Sequence, residues 1–417
     1  LSNYGMVIIG AGETGARAAV ELRSLGWTGK ITLIGEEAHA PYERPPLSKP
    51  TLLEEHNPSP AYILDNKQLE EHRIELMKGC KAVSIDKNNH SVQLENGQNI
   101  NYERLLLATG AQPRRLSIPL SGSQSRFDTS SVLYLRSFGD ALSLRRRLEP
   151  GKRVVIIGGG FIGLEVAASA RECGCEVTVI EAGPRILMRG VPEAIAAIVD
   201  ARHRSAGVQF KLGVGIAGIS SSGGESIITL INGETLACDA LIAGIGAIPE
   251  TALAAASGLA IENGISVDEK LATSDPNIFA AGDCCSFPHP LYGGMRIRLE
   301  AWRNAQDQGT HVAGSMLGAK EAYAAVPWFW SDQYDLTLQV SGLQGIGTTT
   351  VHRTLGSSGD LFFHLTDERT LAAASGIGGP GIAKDIRLAE MLIASKAVLD
   401  PDALARPDVK LKVLLKG

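Results

Sequence analysis

Met6-Val-Ile-Ile-Gly10-Ala-Gly12-Glu-Thr-Gly15 is an apolar run that breaks into a glycine turn, and Val154-Val-Ile-Ile-Gly158-Gly-Gly160-Phe-Ile-Gly163 repeats it. Each run before the turn has the length and composition of a buried strand. Apolar residues at helical spacing follow: Ala18, Ala19, Leu22 and Leu25 up to Gly26 in the first copy, and residues from about Leu164 to Ala170 in the second. Another strand comes next, Ile31 to Ile34 or Val177 to Ile180, and an acid closes each one, Glu36 or Glu181. The order strand, glycine turn, helix, strand, acid therefore occurs twice.

In a G-x-G-x-x-G turn the first glycine (Gly10, Gly158) permits the tight bend and the second (Gly12, Gly160) lets a pyrophosphate approach the backbone. The third (Gly15, Gly163) lets the helix pack closely. The helix N-terminus then faces the phosphate charge. Glu36 and Glu181 are placed to accept hydrogen bonds from ribose hydroxyls. The alternative for either acid is a solvated strand end, which the full context of turn, strand and helix disfavours. Two adenine dinucleotides are implied. Glu181 also repels a 2′-phosphate, which favours NADH over NADPH; Arg185, four residues on, is the nearby cation that opposes this preference.

Each unit continues into an alternating stretch broken by Asn96-Gly97 or Asn232-Gly233, the mark of a β-meander. Each meander feeds a strand ending in glycine, at Ala108-Thr-Gly110 and at Gly246, and both copies count thirteen residues from turn glycine to end glycine. Ala108, Gly110 and Gly246 join the candidate cofactor-binding positions. The second copy reads as an insertion in the first, because the chain resumes with Ala280-Ala-Gly282-Asp283 and a helix from about Ala301 to Leu317. The predicted fold class is α/β: two tandem Rossmann-like dinucleotide-binding domains plus an α+β C-terminal domain. Residues 1–113 and 247–322 form a discontinuous FAD-binding domain, 114–246 an NADH-binding domain and 323–417 the C-terminal domain. The interrupted domain takes the larger cofactor, FAD. Asp283 is expected at its ribityl or phosphate end, and the helix opening at Trp302 is expected to point its positive end at the flavin pyrimidine.

Composition agrees with an ordinary globular protein: 417 residues, 44% hydrophobic, 20% charged and a net charge of −5. That length implies more than one core. The net charge argues against nucleic acid as the main partner, and no apolar run reaches the length of a membrane span. A cytoplasmic protein without membrane association is expected, with a short leader or initiator missing before Leu1. Six irregularly spaced cysteines and nine histidines suggest reduced thiols and no metal site.

The chain resembles the glutathione-reductase-like flavoproteins, and within them the NADH-dependent ferredoxin reductases of bacterial oxygenase systems. Tyr42-Glu-Arg44-Pro-Pro-Leu-Ser-Lys49, Gly158-Gly-Gly-Phe-Ile-Gly-Leu-Glu165, Ala280-Ala-Gly-Asp283 and Pro327-Trp-Phe-Trp-Ser-Asp-Gln333 carry the likeness. The resemblance implies that Arg44, Lys49, Ala82, Arg136, Asp283 and Trp302 face FAD, and that Glu165 and Glu181 belong to the NADH site. It places Lys49 and Glu165, from different domains, beside the flavin N5 as a catalytic pair of opposite charge that orients the nicotinamide. Disulfide reductases of this superfamily carry a redox cysteine pair after the second strand, yet residues 37–60 contain no cysteine. Reduced FAD is then expected to release single electrons to an acidic iron-sulfur ferredoxin, and so indirectly to a terminal oxygenase in aromatic hydrocarbon catabolism.

Trp328 and Trp330 alternate within a short strand, so one is expected to face the flavin and the other the core; the resemblance adds Trp330 to the cofactor-binding set. Arginines 145–147 and Arg296, Arg298 and Arg303 offer positive charge to the ferredoxin, and the second cluster is favoured as the docking rim. Cys284-Cys285 are expected to be inert buried thiols, with a vicinal disulfide as the alternative. A monomer or weak dimer is expected. Competing functions are an NADH oxidase or monodehydroascorbate-type reductase and, in another class, a redox-sensing interaction protein resembling apoptosis-inducing factor.

Overall fold

The computed structural model of the chain describes residues 4–54, 56–117, 129–222 and 225–415. By compactness it divides into two units: Leu1–Glu43, Pro60–Gln112 and Ile248–Pro327 in the first, and Arg44–Ser59, Pro113–Ala247 and Trp328–Gly417 in the second.

The first unit is built on five parallel strands in the order Glu75–Lys78, Ile31–Gly35, Gly5–Ile9, Asn99–Leu107, Ile278–Ala280. The strand Gly5–Ile9 is buried throughout, as a strand covered on both faces must be. The helix Glu13–Ser24 follows it, with Ala16, Ala18, Ala19 and Leu22 turned inward, and ends before Gly26, whose φ of +91° suits glycine. Burying a side chain such as Leu22 contributes roughly 1.5–3 kcal/mol. The expected meander is present as Ala82–Asp86, Ser91–Leu94 and Asn99–Leu107, with antiparallel pairing. Gly309 in the helix Trp302–Met316 lets that helix approach Glu13–Ser24, since a Cβ there would stand 2.6 Å from the Thr14 carbonyl.

The second unit repeats the parallel order with Gln209–Leu212, Glu176–Glu181, Arg153–Ile157, Ala240–Ala243 and Val132–Leu133. Its meander is Ile216–Ser222, Glu225–Leu230 and Thr235–Cys238. The unit also holds a five-stranded antiparallel sheet, Trp328–Gln333, Leu336–Gly342, Leu371–Gly378, Gly359–Leu365 and Thr349–Thr354, covered by the helix Ile382–Ala394.

This division by compactness differs from the expected division by cofactor in two places. The C-terminal sheet shares one apolar cluster with the inserted unit: Leu338, Val340, Phe362 and Ile377 pack with Leu164, Ile186, Ile195 and Val199. Residues 44–59 join the same unit because Ser169 Oγ donates to the Ser48 carbonyl at 2.8 Å, and Cys173 lies against the Leu52 carbonyl. Among the described residues no helix is long and apolar enough to cross a membrane.

Candidate active site

The two glycine turns are nearly superimposable in their duties. Gly10 and Gly158 have φ of +114° and +106°, and a Cβ on either would lie 2.0 Å from the Ala108 carbonyl or 2.4 Å from that of Gly244. A Cβ on Gly15 or Gly163 would strike the carbonyl of Gly10 at 1.9 Å or of Gly158 at 2.2 Å. These four glycines are required by packing. Gly12 and Gly160 differ, since a Cβ there would meet nothing within 4 Å, and neither N-caps its helix with a side chain. Each helix therefore presents free N–H groups over open space, the cradle an anionic pyrophosphate requires.

In the first unit Gly282 (φ +83°) brings the segment before Asp283 onto this cradle: a Cβ on Gly282 would lie 2.4 Å from Thr14 Oγ1. Gln308, fully buried, accepts from Gly282 N–H at 2.7 Å, and its Nε2 has no partner among the described residues. A buried amide donor left open beside an anion-binding turn fits a dinucleotide carrying polar acceptors. Asp283 follows directly, and its carbonyl accepts from Arg298 at 3.3 Å. Glu36 stands past the end of Ile31–Gly35, paired with Lys81 at 3.1 Å in an exposed position. Ala108 N–H donates to the Ile9 carbonyl at 2.8 Å, Gly110 bends with φ +71°, Ala82 opens the first meander strand, and Trp302 is the first residue of its helix.

In the second unit Glu181 is held over its glycine turn. One oxygen accepts from Gly159 N–H at 2.8 Å and the other from Gly183 N–H at 2.7 Å. Arg185, the cation expected to oppose Glu181, donates instead to the carbonyls of Ile186 and Leu187 at 3.0 and 2.9 Å. Gly246 (φ +100°) accepts from Arg114 N–H at 2.9 Å through its carbonyl. Arg44 donates to the Arg136 carbonyl.

Lys49 and Glu165 do meet, both in the second unit, with Nζ 3.3 Å from Oε1. Glu165 is buried in the helix Phe161–Glu172 and accepts from Ser48 Oγ and Ser331 Oγ, each at 2.6 Å. These short hydroxyl bonds offset the cost of burying the carboxylate. A second acid, not singled out from the sequence, shares the lysine: Asp332 Oδ2 lies 3.2 Å from Lys49 Nζ and also accepts from Trp330 Nε1 at 3.2 Å. Lys49 thus sits between two carboxylates, 5.9 Å from the Trp330 ring centre. Strand alternation within Trp328–Gln333 was the available signal, since Trp330 and Asp332 share a face.

The same rule corrects the reading of the tryptophans. Trp328 and Trp330 do not divide between flavin and core; residues two apart in a strand lie on one face. Their rings stack with centroids 5.4 Å apart and planes 24° apart. The favoured arginine cluster is also more committed than expected. Arg296 pairs with Glu262 at 3.2 Å, Arg298 with Glu300, and Arg303 with Asp307 at 3.7 Å. In the other cluster Arg145 donates to the Glu54 carbonyl and Arg146 to Ser143 Oγ, so these two charges meet neutral acceptors. Cys284 and Cys285 are free and fully buried, and burial pushes both thiols up.

Two family models match: pyridine nucleotide-disulphide oxidoreductase over residues 4–309, and reductase C-terminal over 328–415. The chain belongs to the pyridine nucleotide-disulphide oxidoreductase family. Within that family it is 40% identical to the ferredoxin–NAD(+) reductase component of the anthranilate 1,2-dioxygenase system of Burkholderia cepacia, over 98% of each chain. Putidaredoxin reductase of Pseudomonas putida is 34% identical over 99% of this chain and 97% of its own. A solved covalent complex of putidaredoxin reductase with putidaredoxin matches with a TM-score of 0.91 at 33% identity, covering 100% of this chain and 99% of that one. The expected resemblance to ferredoxin reductases and the glutathione-reductase-like fold are borne out. This pyridine nucleotide-disulphide oxidoreductase nonetheless has no cysteine in residues 37–60, where Lys49 stands at the start of the short helix Pro50–Leu53.

Proposed function

We propose that this chain is the FAD-dependent, NADH-oxidising ferredoxin reductase of an oxygenase system. The observation that carries the proposal is the duplicated, uncapped glycine turn, open at Gly12 and Gly160, together with a Lys49–Glu165 pair in place of a redox dithiol. The first unit's turn, with Gln308 and Asp283 beside it, would hold FAD. The second unit's turn, with Glu181, would hold NADH. When bound, FAD accepts a hydride from NADH and releases the two electrons singly. Glu165 fixes the Lys49 ammonium, and the pair orients the nicotinamide for transfer. Glu181 accepts from the ribose hydroxyls and disfavours a 2′-phosphate.

The electron acceptor is an iron-sulfur ferredoxin, and we take it to be acidic, since Arg145 and Arg146 donate to neutral acceptors, which leaves their charge uncompensated by these bonds. No observation favours the oxidase or the redox-sensing reading. The test is anaerobic mixing of the yellow holoprotein with NADH, followed by a ferredoxin. Prompt bleaching is expected in the anaerobic step, and in a parallel assay in air ferredoxin-dependent cytochrome c reduction far above oxygen consumption is expected. A protein that stays colourless after reconstitution with FAD, or that NADH does not bleach, overturns the proposal.

A further inference from the structure

A chain of side-chain hydrogen bonds runs into Glu165 from a histidine far from the glycine turns in sequence. Ser331 Oγ lies 2.6 Å from Glu165 Oε1, Gln333 Nε2 lies 2.9 Å from Ser331 Oγ, and His203 Nε2 lies 2.9 Å from Gln333 Oε1. Its direction follows from the inventory of donors. A carboxylate only accepts, so the Ser331 hydroxyl donates to Glu165. The Ser331 oxygen then accepts from the Gln333 amide N–H, which leaves the Gln333 carbonyl to accept from His203. The proton of His203 is therefore on Nε2, and every donor in the chain points toward Glu165.

The chain is closed at its far end. His203 is fully buried in the helix Glu193–Ser205, and its Nδ1 has no partner among the described residues. Its ring packs edge-on against Phe210 and Tyr334, with centroids 6.1 and 5.0 Å away. Burial also holds the imidazole below its usual range, outweighing the opposing bond to Gln333, so the ring stays neutral. A proton wire needs an entrance, and an unpartnered nitrogen in an aromatic pocket provides none. What the arrangement does provide is alignment: aligned donors polarise one another, and each fixes the rotamer of the next.

We propose that Gln333 and His203 are positioning residues that, through Ser331, lock the Glu165 carboxylate and so the Lys49 ammonium in the geometry for hydride delivery. This rests on the proposed NADH-to-FAD reaction. Glu165 Oε1 is the oxygen shared by Ser331 and Lys49, so a loosened Ser331 is felt directly at the lysine.

The test uses the holoenzyme with Gln333→Met and His203→Phe, each of which severs the chain by putting an apolar group of similar shape in place of the hydrogen-bonding one. His203→Gln, which still offers an N–H to Gln333, is the conservative rescue. Stopped-flow reduction by NADH is expected to show a limiting rate lowered about two- to tenfold, the scale of one hydrogen bond, with the half-saturating NADH concentration unchanged. His203→Gln should restore the rate. In a Glu165→Gln background neither severing change should have a further effect. A second readout needs no turnover: competitive acylation of lysines in the oxidised holoenzyme, scored by mass spectrometry, with exposed Lys67 as internal reference. Lys49 should label about two- to fivefold faster in the severed variants. Unchanged rate and labelling in both variants, or a full additional loss on top of Glu165→Gln, overturns the inference. If wild-type holoenzyme is not reduced by NADH the function itself fails, and the labelling still decides whether the chain orients Lys49.

Discussion

Glu165→Gln and Asp332→Asn remove one carboxylate each from Lys49, at nearly the same distance, 3.3 and 3.2 Å. Their surroundings differ. The Glu165 side chain is 7% exposed and that of Asp332 44%. With an effective dielectric constant of about 20, the attraction at the buried acid is about 5 kcal/mol. Desolvation offsets part of it, leaving about 2–3 kcal/mol. Near water's dielectric the Asp332 pair is worth about 1 kcal/mol. If that energy holds the lysine in place during hydride transfer, Glu165→Gln lowers the limiting rate of flavin reduction about 30- to 150-fold and Asp332→Asn about fivefold. The assay is anaerobic stopped flow over a range of NADH concentrations, following the flavin absorbance. Equal losses in the two variants, or a Glu165→Gln enzyme reduced as fast as wild type, would refute the charge-pair reasoning.

Gly12→Ala and Gly160→Ala add a methyl to open space at unstrained φ, so melting temperature should hold while FAD retention falls in the first and KM for NADH rises in the second. Gly15→Ala and Gly163→Ala drive a Cβ into a carbonyl and should destabilise the fold by about 1–3 kcal/mol or more, read as a lower denaturant midpoint. Cys284 and Cys285 should resist thiol reagents in the native protein with or without NADH; a gain of two reactive thiols on reduction would reinstate the vicinal disulfide. Burial depresses His203, His289, His311 and His364 below the ordinary 6.5. Their neutral burial is fully tolerated above that value and becomes a liability as pH falls toward the depressed values, because the unfolded chain then binds the extra protons. Stability should therefore drop in urea titrations as pH falls through the ordinary histidine value of 6.5 and below it. Ferredoxin-dependent cytochrome c reduction should fall steeply with added salt while ferricyanide reduction holds; equal sensitivity would argue against an acidic partner.

The glycine turns could be read from the sequence because their physics is local: a turn, a close contact and a helix start lie within six residues. The parallel strands, the two meanders and the helix near Trp302 followed from periodicity for the same reason. The environment of Lys49 could not be read that way. Asp332 is 283 residues distant from it along the chain, and Ser331, one of the two serines that donate to Glu165, is 166 residues distant from that acid. Residues 327–333 were recognisable as a motif, but nothing in their order says which group Ser331 or Asp332 would meet. The tryptophans are a different case. The two-residue period that places both on one face was present in the sequence, and applying it would have given the stacked pair. The association of the C-terminal sheet with the inserted unit depends on an apolar cluster assembled from distant segments, and that of residues 44–59 on contacts of Ser48 and Leu52 with Ser169 and Cys173, more than a hundred residues away; composition along the chain reveals neither.

Glu181 is tethered at both oxygens by backbone N–H groups of Gly159 and Gly183. Replacing it to admit a phosphorylated dinucleotide would do more than remove a repulsive charge, because it would also strip two loop amides of their acceptor and loosen the cleft it was meant to retune. In the proposed NADH site, cofactor preference and loop rigidity are thus vested in one side chain. A switch to NADPH calls for a compensating acceptor in the same redesign, and Arg185, already engaged with its own loop, would have to be released as well.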